Sequence, residues 1–212
     1  MITTVQRPTP ADWDSWYTAG WPAVVTDKES ESFHRTVQPY PGMTAVDLAC
    51  GNGQWMRQLT AWGVFVTGYD FSTEALRQAR AAGLPDGLSY AQWDIDAEPI
   101  PPALMPGSLD LVTCRHALPY LEYARVLTDV GRWLKPSGIF YALVRVADDQ
   151  DNATAQSDSV LESFHRGFTE AQIDGIGIGW ARRTTYRLSA RNCGIVLRGY
   201  GDSDCQPCDV SS

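Results

Sequence analysis

Lysine is almost absent from this chain: Lys28 and Lys135 are the only two in 212 residues, and arginine supplies the rest of the positive charge. With abundant alanine and glycine, this matches the codon bias of a GC-rich bacterial genome better than any chemical demand. Positive charge is short overall, and the net charge is -8. Binding a phosphate backbone needs a concentrated basic surface, and the basic residues here are scattered, so no nucleic-acid partner is expected. Apolar runs are short as well. None approaches the roughly 20 residues of a spanning helix, so no membrane association is expected. The opening MITTVQRPTPADWD has no basic start followed by an apolar core, so no secretory signal and a cytoplasmic location are expected.

Cysteine is sparse and odd in number: Cys50, Cys114, Cys193, Cys205 and Cys208. Reduced thiols are the expectation. Cys205 and Cys208 form a lone CxxC, but a zinc site needs four ligands and no second pair stands nearby, so no metal is expected. Residues 203–212 read as a flexible tail.

What is present is the alternation of an α/β domain. TAVDLAC, VFVTGYD, LSYAQWDID, LDLVTC and GIFYALVRV read as buried strands. Between them lie helical stripes: Trp55, Met56, Leu59 and Trp62 in a helix from about Gln54; STEALRQARAAG, capped by Ser72 and stopped at Gly83; and Val126 to Leu134. Such alternation implies parallel strands joined by right-handed crossovers, with helices on both faces of one sheet. The rhythm then changes. FHRGFTEAQI reads as a short helix, and WARRTTYRLSA and CGIVLRGYG as two strands with no helix between, which should pair as a hairpin and introduce an antiparallel strand. Ahead of the first strand lie the aromatics Trp13, Trp16, Tyr17 and Trp21, the polar stretch TDKESES, and Phe33 with Val37 at helical spacing.

Ligands of open α/β sheets sit at the carboxyl ends of the strands, so the loop VDLACGNGQW after the first strand is the place to look. A dinucleotide fingerprint would need a third glycine where Met56 stands. The second strand ends in Asp70 followed by Phe71: a carboxylate able to accept both ribose hydroxyls, and a ring able to lie against adenine. The third ends in Asp94 and Ile95, where a carboxylate could accept from the adenine amino group. Three acidic strand ends, Asp47, Asp70 and Asp94, sharing one crevice would repel a pyrophosphate and suit a cationic ligand with hydroxyls and amines.

On these residues the chain resembles the class I S-adenosylmethionine-dependent methyltransferases, well over about 43–141 and weakly over 160–200. VDLACGNG is similar to the family's first-strand motif, Asp70 and Asp94 to its acidic residues after strands two and three, MPGSLDLVTC to its approach to strand four, and RWLKPSG to its R-x-L-K-P-G-G, with Ser137 in place of a glycine. The resemblance implies a Rossmann-like sheet of seven strands, mostly parallel with an antiparallel C-terminal strand. It also implies S-adenosyl-L-methionine as cofactor, with S-adenosyl-L-homocysteine as product. Expected cofactor contacts are Asp47, Ala49, Gly51, Asn52 and Gly53, then Asp70 and Phe71, Asp94 and Ile95, and Arg115 after the fourth strand. Residues 1–40 would form an aromatic lid, an aromatic there reaching the sulfonium or simply covering the sheet edge. Residues 41–202 would form the methyltransferase domain.

The expected reaction is methyl transfer to oxygen, nitrogen or carbon of a small molecule, most plausibly a bacterial natural-product intermediate, by a monomer or homodimer. His116, after the fourth strand, is the candidate general base, or alternatively a structural residue beneath the cofactor. His34, His165 and Arg35 are weaker candidates, the last for the methionine carboxylate. ADDQDN after the fifth strand resembles the acidic ligands of metal-dependent catechol methyltransferases, but Thr113, Cys114 and Arg115 stand where those need an aspartate. ALPY resembles a motif of nucleic-acid amino methyltransferases, yet lacks its polar first residue and lies too late. Competing functions are a non-methylating member of the same fold and a nicotinamide-dependent oxidoreductase.

Overall fold

A computed structural model describes residues 7–21, 24–147 and 164–201. Seven strands form one sheet: β1 Thr44–Leu48, β2 Phe65–Asp70, β3 Leu88–Gln92, β4 Leu109–Arg115, β5 Leu134–Arg145, β6 Trp180–Arg187 and β7 Asn192–Tyr200. Their spatial order is β3-β2-β1-β4-β5-β7-β6, and β7 runs antiparallel to both neighbours while the β3-to-β5 pairings are parallel. The expected seven-stranded mixed sheet is therefore the one found.

Strand alternation sorts the core into two layers. Ala45, Leu111, Ile139, Tyr141 and Leu143 face α2 (Asp27–Val37), α3 (Gln54–Ala61) and α4 (Thr73–Ala81), meeting Phe33, Trp55, Leu59 and Leu76. Val46, Val112, Phe140, Ala142 and Val144 face the other way, against α5 (Tyr123–Trp133) and α6 (Glu170–Gly175) through Val126, Val130 and Ile173. Ahead of α2 stands α1, Pro10–Thr18. Met56, which occupies the third-glycine place of a dinucleotide fingerprint, fits because the facing strand makes the room. A Cβ on Gly68 of β2 would stand 2.2 Å from the Met56 sulfur.

The polar stretch TDKESES opens a helix: Thr26 accepts from the Glu29 N–H and starts α2, which turns Glu29 and Ser32 inward. The structure departs from the sequence reading in two places. KPSG lies within β5 as a bulge, since Leu134 already pairs with Leu109 before the register shifts to Leu111 and Ile139. Lys135 there pairs with Asp110 at 2.8 Å. In FHRGFTEAQI the helix starts only at Glu170, where Thr169 and Gln172 cap each other. The residues before it run as an extended edge, the Phe168 N–H donating to the Arg145 carbonyl and bridging beside Val146. Residues 148–163 and 202–212 lie outside the described residues, and with them most of ADDQDN, Cys205, Cys208 and the expected tail.

The charge hidden in α2 has a partner. Glu29 Oε1 and Oε2 accept from Arg115 Nε and Nη2 at 2.6 and 2.8 Å, with side chains 3% and 7% exposed. Removing one member of such a pair leaves an uncompensated buried charge. Glu29→Ala is expected to lower unfolding free energy by about 3–5 kcal/mol in chemical denaturation. A loss below about 1 kcal/mol would show that water already reaches Arg115.

Candidate active site

The loop after β1 turns by three left-handed residues, Ala49 (φ 54°), Gly51 (φ 55°) and Gly53 (φ 73°). A non-glycine residue in that region is held there by its surroundings. Here the holding group is Asp70 at the end of β2. Its Oδ2 accepts from the Gly51 N–H and its Oδ1 from the Ser72 N–H, both at 2.8 Å. One carboxylate thus ties the glycine loop to the start of α4. Gly51 must be glycine because α1 lies over it: a Cβ there would stand 2.5 Å from the Tyr17 hydroxyl oxygen. At Gly53 the close neighbour is the Tyr90 hydroxyl, 2.1 Å from such a Cβ.

Asp47 ends β1 one strand away. Its register partner on β4 is Thr113, whose hydroxyl donates to Asp47 Oδ1 at 2.5 Å. Asp47 and Asp70 are both buried, and among the described residues neither forms a salt bridge. Burial pushes Asp47 up to about 7, against the lowering effects of Thr113 and Arg115, and Asp70 up to about 6, against its backbone donors. Burial, then the fields of Asp70, Cys50 and Asp47, push the Tyr17 phenol well above its usual range. The tyrosine therefore reaches in beside the two acids.

These groups line one cavity of about 290 Å³ at the carboxyl ends of the strands. Asp47, Ala49, Gly51, Asn52, Asp70, Phe71, Arg115 and His116 all border it. Three expected contacts do not. Asp94 turns back on its own chain, Oδ1 accepting from the Asp96 and Ala97 N–H groups at 3.1 Å each, so it closes the turn after β3. Ile95 is buried in the layer that packs on α5. Gly53 caps α3 and faces Tyr90. The crevice holds two strand-end carboxylates, not three.

Arg115 borders the cavity with its fork already committed to Glu29 and its Cζ 5.3 Å from the Trp55 ring centroid. It serves as a paired floor. Arg35 is exposed, bonded to Ser32, and away from the cavity, as is His34, which meets the Trp62 ring edge-on. His165 does border it. His116 takes a left-handed conformation (φ 58°), its N–H donating to the Leu143 carbonyl at 2.7 Å. Burial, with Arg115 and Arg145, pushes its imidazole down to about 4, so it is uncharged at neutral pH.

Helix α1 roofs the cavity and is fastened at both sides. Asp14 Oδ1 accepts from the Ser72 hydroxyl at 2.6 Å and the Glu74 N–H at 3.1 Å, which places a carboxylate on the N-terminus of α4. Across the cavity, Trp13 meets Tyr120 and Phe164 edge-on, with centroids 5.3 and 4.8 Å apart. Sequence reasoning singled out the N-terminal aromatics, and the stretches 116–120 and 147–180 that hold Tyr120, Phe164 and Arg166, as walls of an acceptor pocket, but gave no role to Arg145 or Thr113. Only Thr113 carried a signal, as the residue directly before Cys114 at the end of a strand beside β1.

A model of the methyltransferase domain family matches residues 46–142. A ubiquinone biosynthesis O-methyltransferase of Thiobacillus denitrificans is 31% identical over 135 residues, covering 62% of this chain and 58% of that protein. An S-adenosylmethionine-dependent methyltransferase from Mesorhizobium loti, solved as a crystal structure, is 31% identical with a TM-score of 0.50, covering 56% of this chain and 54% of that one. A phosphoethanolamine N-methyltransferase of Haemonchus contortus, solved with S-adenosyl-L-methionine, reaches a TM-score of 0.69 at 14% identity over 91% of this chain and 57% of that one, a likeness of fold alone. The chain spans about half the length of the curated relatives it matches.

The raised carboxylates have a measurable sign. A folded-state pKa above the unfolded value means the native state binds the extra proton, so the stability Asp47 contributes is present at low pH and is lost as pH rises from about 4 to about 7. Relative to wild type, Asp47→Asn should therefore gain thermal stability as pH is raised from 5 to 8. Parallel pH profiles of the two melting temperatures would refute a buried, titrating Asp47.

Proposed function

We propose that this chain, whose residues 46–142 match a model of the methyltransferase domain family, is a class I enzyme that uses S-adenosyl-L-methionine to methylate a hydroxyl oxygen of a small molecule, such as a bacterial natural-product intermediate. The observation that carries the reading is the pair Asp47 and Asp70: two desolvated carboxylates on neighbouring strands, beside a glycine loop, neither of which forms a salt bridge among the described residues. That is a place for a sulfonium nucleoside. Support for an oxygen acceptor comes from the partly covered relatives that are named for O-methylation.

When bound, the cofactor would supply an electrophilic methyl group, and the electron pair of the broken S–C bond would stay on sulfur to give S-adenosylhomocysteine. The chain's own residues bind, orient and exclude water. Asp70 accepts ribose hydroxyls with the lone pairs left by Gly51 and Ser72. Asp47 faces the cationic portion, and Phe71 offers a ring to the base. Helix α1 acts as the lid, its Tyr17 closing against Gly51. An acceptor hydroxyl must release a proton as the new C–O bond forms. The neutral His116 imidazole is able to take it, as a weaker base than an exposed histidine.

Two measurements test this. Charge-assisted hydrogen bonds are worth about 1.5–3 kcal/mol, so Asp70→Ala should weaken S-adenosylhomocysteine binding at least tenfold in calorimetry, in protein whose folded state is verified by circular dichroism. Unchanged affinity removes Asp70 from the ribose. A cation prefers ionised carboxylates, so S-adenosylmethionine should bind more tightly as pH rises from 5 to 8, with proton release visible as a buffer-dependent enthalpy. A pH-independent affinity would remove the sulfonium from the neighbourhood of Asp47. Formation of S-adenosylhomocysteine with the true acceptor separates methyl transfer from a fold member that only binds.

A further inference from the structure

The cavity is electrically two-ended, and its second end has no role so far. Read across the sheet, the strand tips bordering it carry Asp70 on β2, Asp47 on β1, Arg115 on β4 and Arg145 on β5. Asp47 and Asp70 are its only carboxylates among the described residues. Arg115 is consumed by Glu29, but Arg145 and, from the edge after it, Arg166 border the same space. The field of Arg145 is felt there: it contributes to the lowered pKa of both His116 and His165. Both arginines are also engaged within the fold. A guanidinium has five donors, and a ligand carboxylate can share it with the partners it already has.

Between this basic end and the acidic one, the walls are flat rings. Trp13 stands edge-on to Tyr120 and Phe164, and Trp16 lies tilted against Phe164 with centroids 4.6 Å apart. Arg166 spreads over the Tyr120 ring, its Cζ 5.8 Å from the centroid, while its backbone N–H donates to the Tyr120 hydroxyl at 3.0 Å. That stacking holds the planar fork beside the cavity that Arg166 borders. Aromatic rings along a cavity wall favour planar molecules lying against them, and a guanidinium fork selects a carboxylate, which it can hold by two parallel hydrogen bonds.

Resting on the methyl-transfer reading, we propose that the acceptor is an aromatic carboxylate, its ring held among Trp13, Trp16, Tyr120 and Phe164 and its anionic group facing Arg145 and Arg166. The opposed charges then fix direction. The carboxylate is drawn away from Asp47 and Asp70, so the far end of the ring, where a phenolic hydroxyl would sit, is presented toward the cofactor side of the cavity beside His116.

The test is calorimetry on protein saturated with S-adenosylhomocysteine, titrated with three matched pairs: 4-hydroxybenzoate and 4-hydroxybenzamide, 4-hydroxycinnamate and its amide, and indole-3-carboxylate and its amide. At least one acid should bind tenfold or more tighter than its amide. The preference should shrink in both Arg166→Gln and Arg145→Gln and in raised salt, while S-adenosylhomocysteine affinity stays within about twofold of wild type. Acid and amide binding alike, or neither binding in all three pairs, overturns the proposal. So does a preference that survives both substitutions. The first saturation step keeps the two readings apart: failure to bind S-adenosylhomocysteine sinks the methyltransferase reading, whereas cofactor binding without a carboxylate preference sinks only this one.

Discussion

Two carboxylates buried side by side without a cation between them are the constraint around which this molecule is arranged. Desolvating an acid is costly unless something compensates the charge. Thr113 compensates Asp47 in part, and the backbone N–H groups of Gly51 and Ser72 compensate Asp70 in part. The remainder leaves both acids titrating close to neutrality, ready to be held ionised by a positively charged ligand. Asp70 has a second duty, since the same bonds hold the left-handed glycine loop against α4. Loss of that side chain thus changes both the charge in the cavity and the loop that borders it.

The segment ahead of the sheet is built to serve this crevice. Helix α2 lays Glu29 under Arg115, which ties this guanidinium to a buried carboxylate of its own and leaves it only a partial offset to the charge of Asp47. Helix α1 uses Asp14 to sit on the amino end of α4, and its tryptophans to reach the rings beyond β4. With Tyr17 against Gly51, the roof is fitted to the glycine it covers. The segment beyond β5 closes the opposite wall with Phe164, His165 and Arg166. The cavity therefore runs from an acidic end, through aromatic walls, to a basic end, and the direction of that polarity is the order of the strands in the sheet.

Much of this was legible residue by residue. Val46, Leu48 and the two glycines announced a strand meeting a ligand loop, and Ser72 announced the start of α4. Met56 argued against a pyrophosphate, and the structure supplies the reason it fits at all, the bare Gly68 on the facing strand. Asp94 lies off the cavity, and sequence could not show it, because a carboxylate at a strand end looks the same whether it faces a cavity or caps its own turn. Here two backbone N–H groups within three residues claimed it first. TDKESES gave no sign of its inward face because helical stripes are found by apolar spacing, and the buried residues of that stripe include a glutamate whose partner lies 86 positions away.

By itself the amino-acid order determined what is local or periodic: the alternation of strands and helices, the caps, the left-handed glycines and the acidic residue closing each of the first strands. Those features depend on neighbours a few residues apart, so the chain carries them in plain view. Only the tertiary structure decided which charges share a space. Whether Asp47 meets Asp70, whether Arg115 is consumed by Glu29, and whether Arg145 and Arg166 converge on the rings of α1 depends on distances between segments far apart in the chain. Electrostatic energy falls with separation in space and takes no account of separation in sequence.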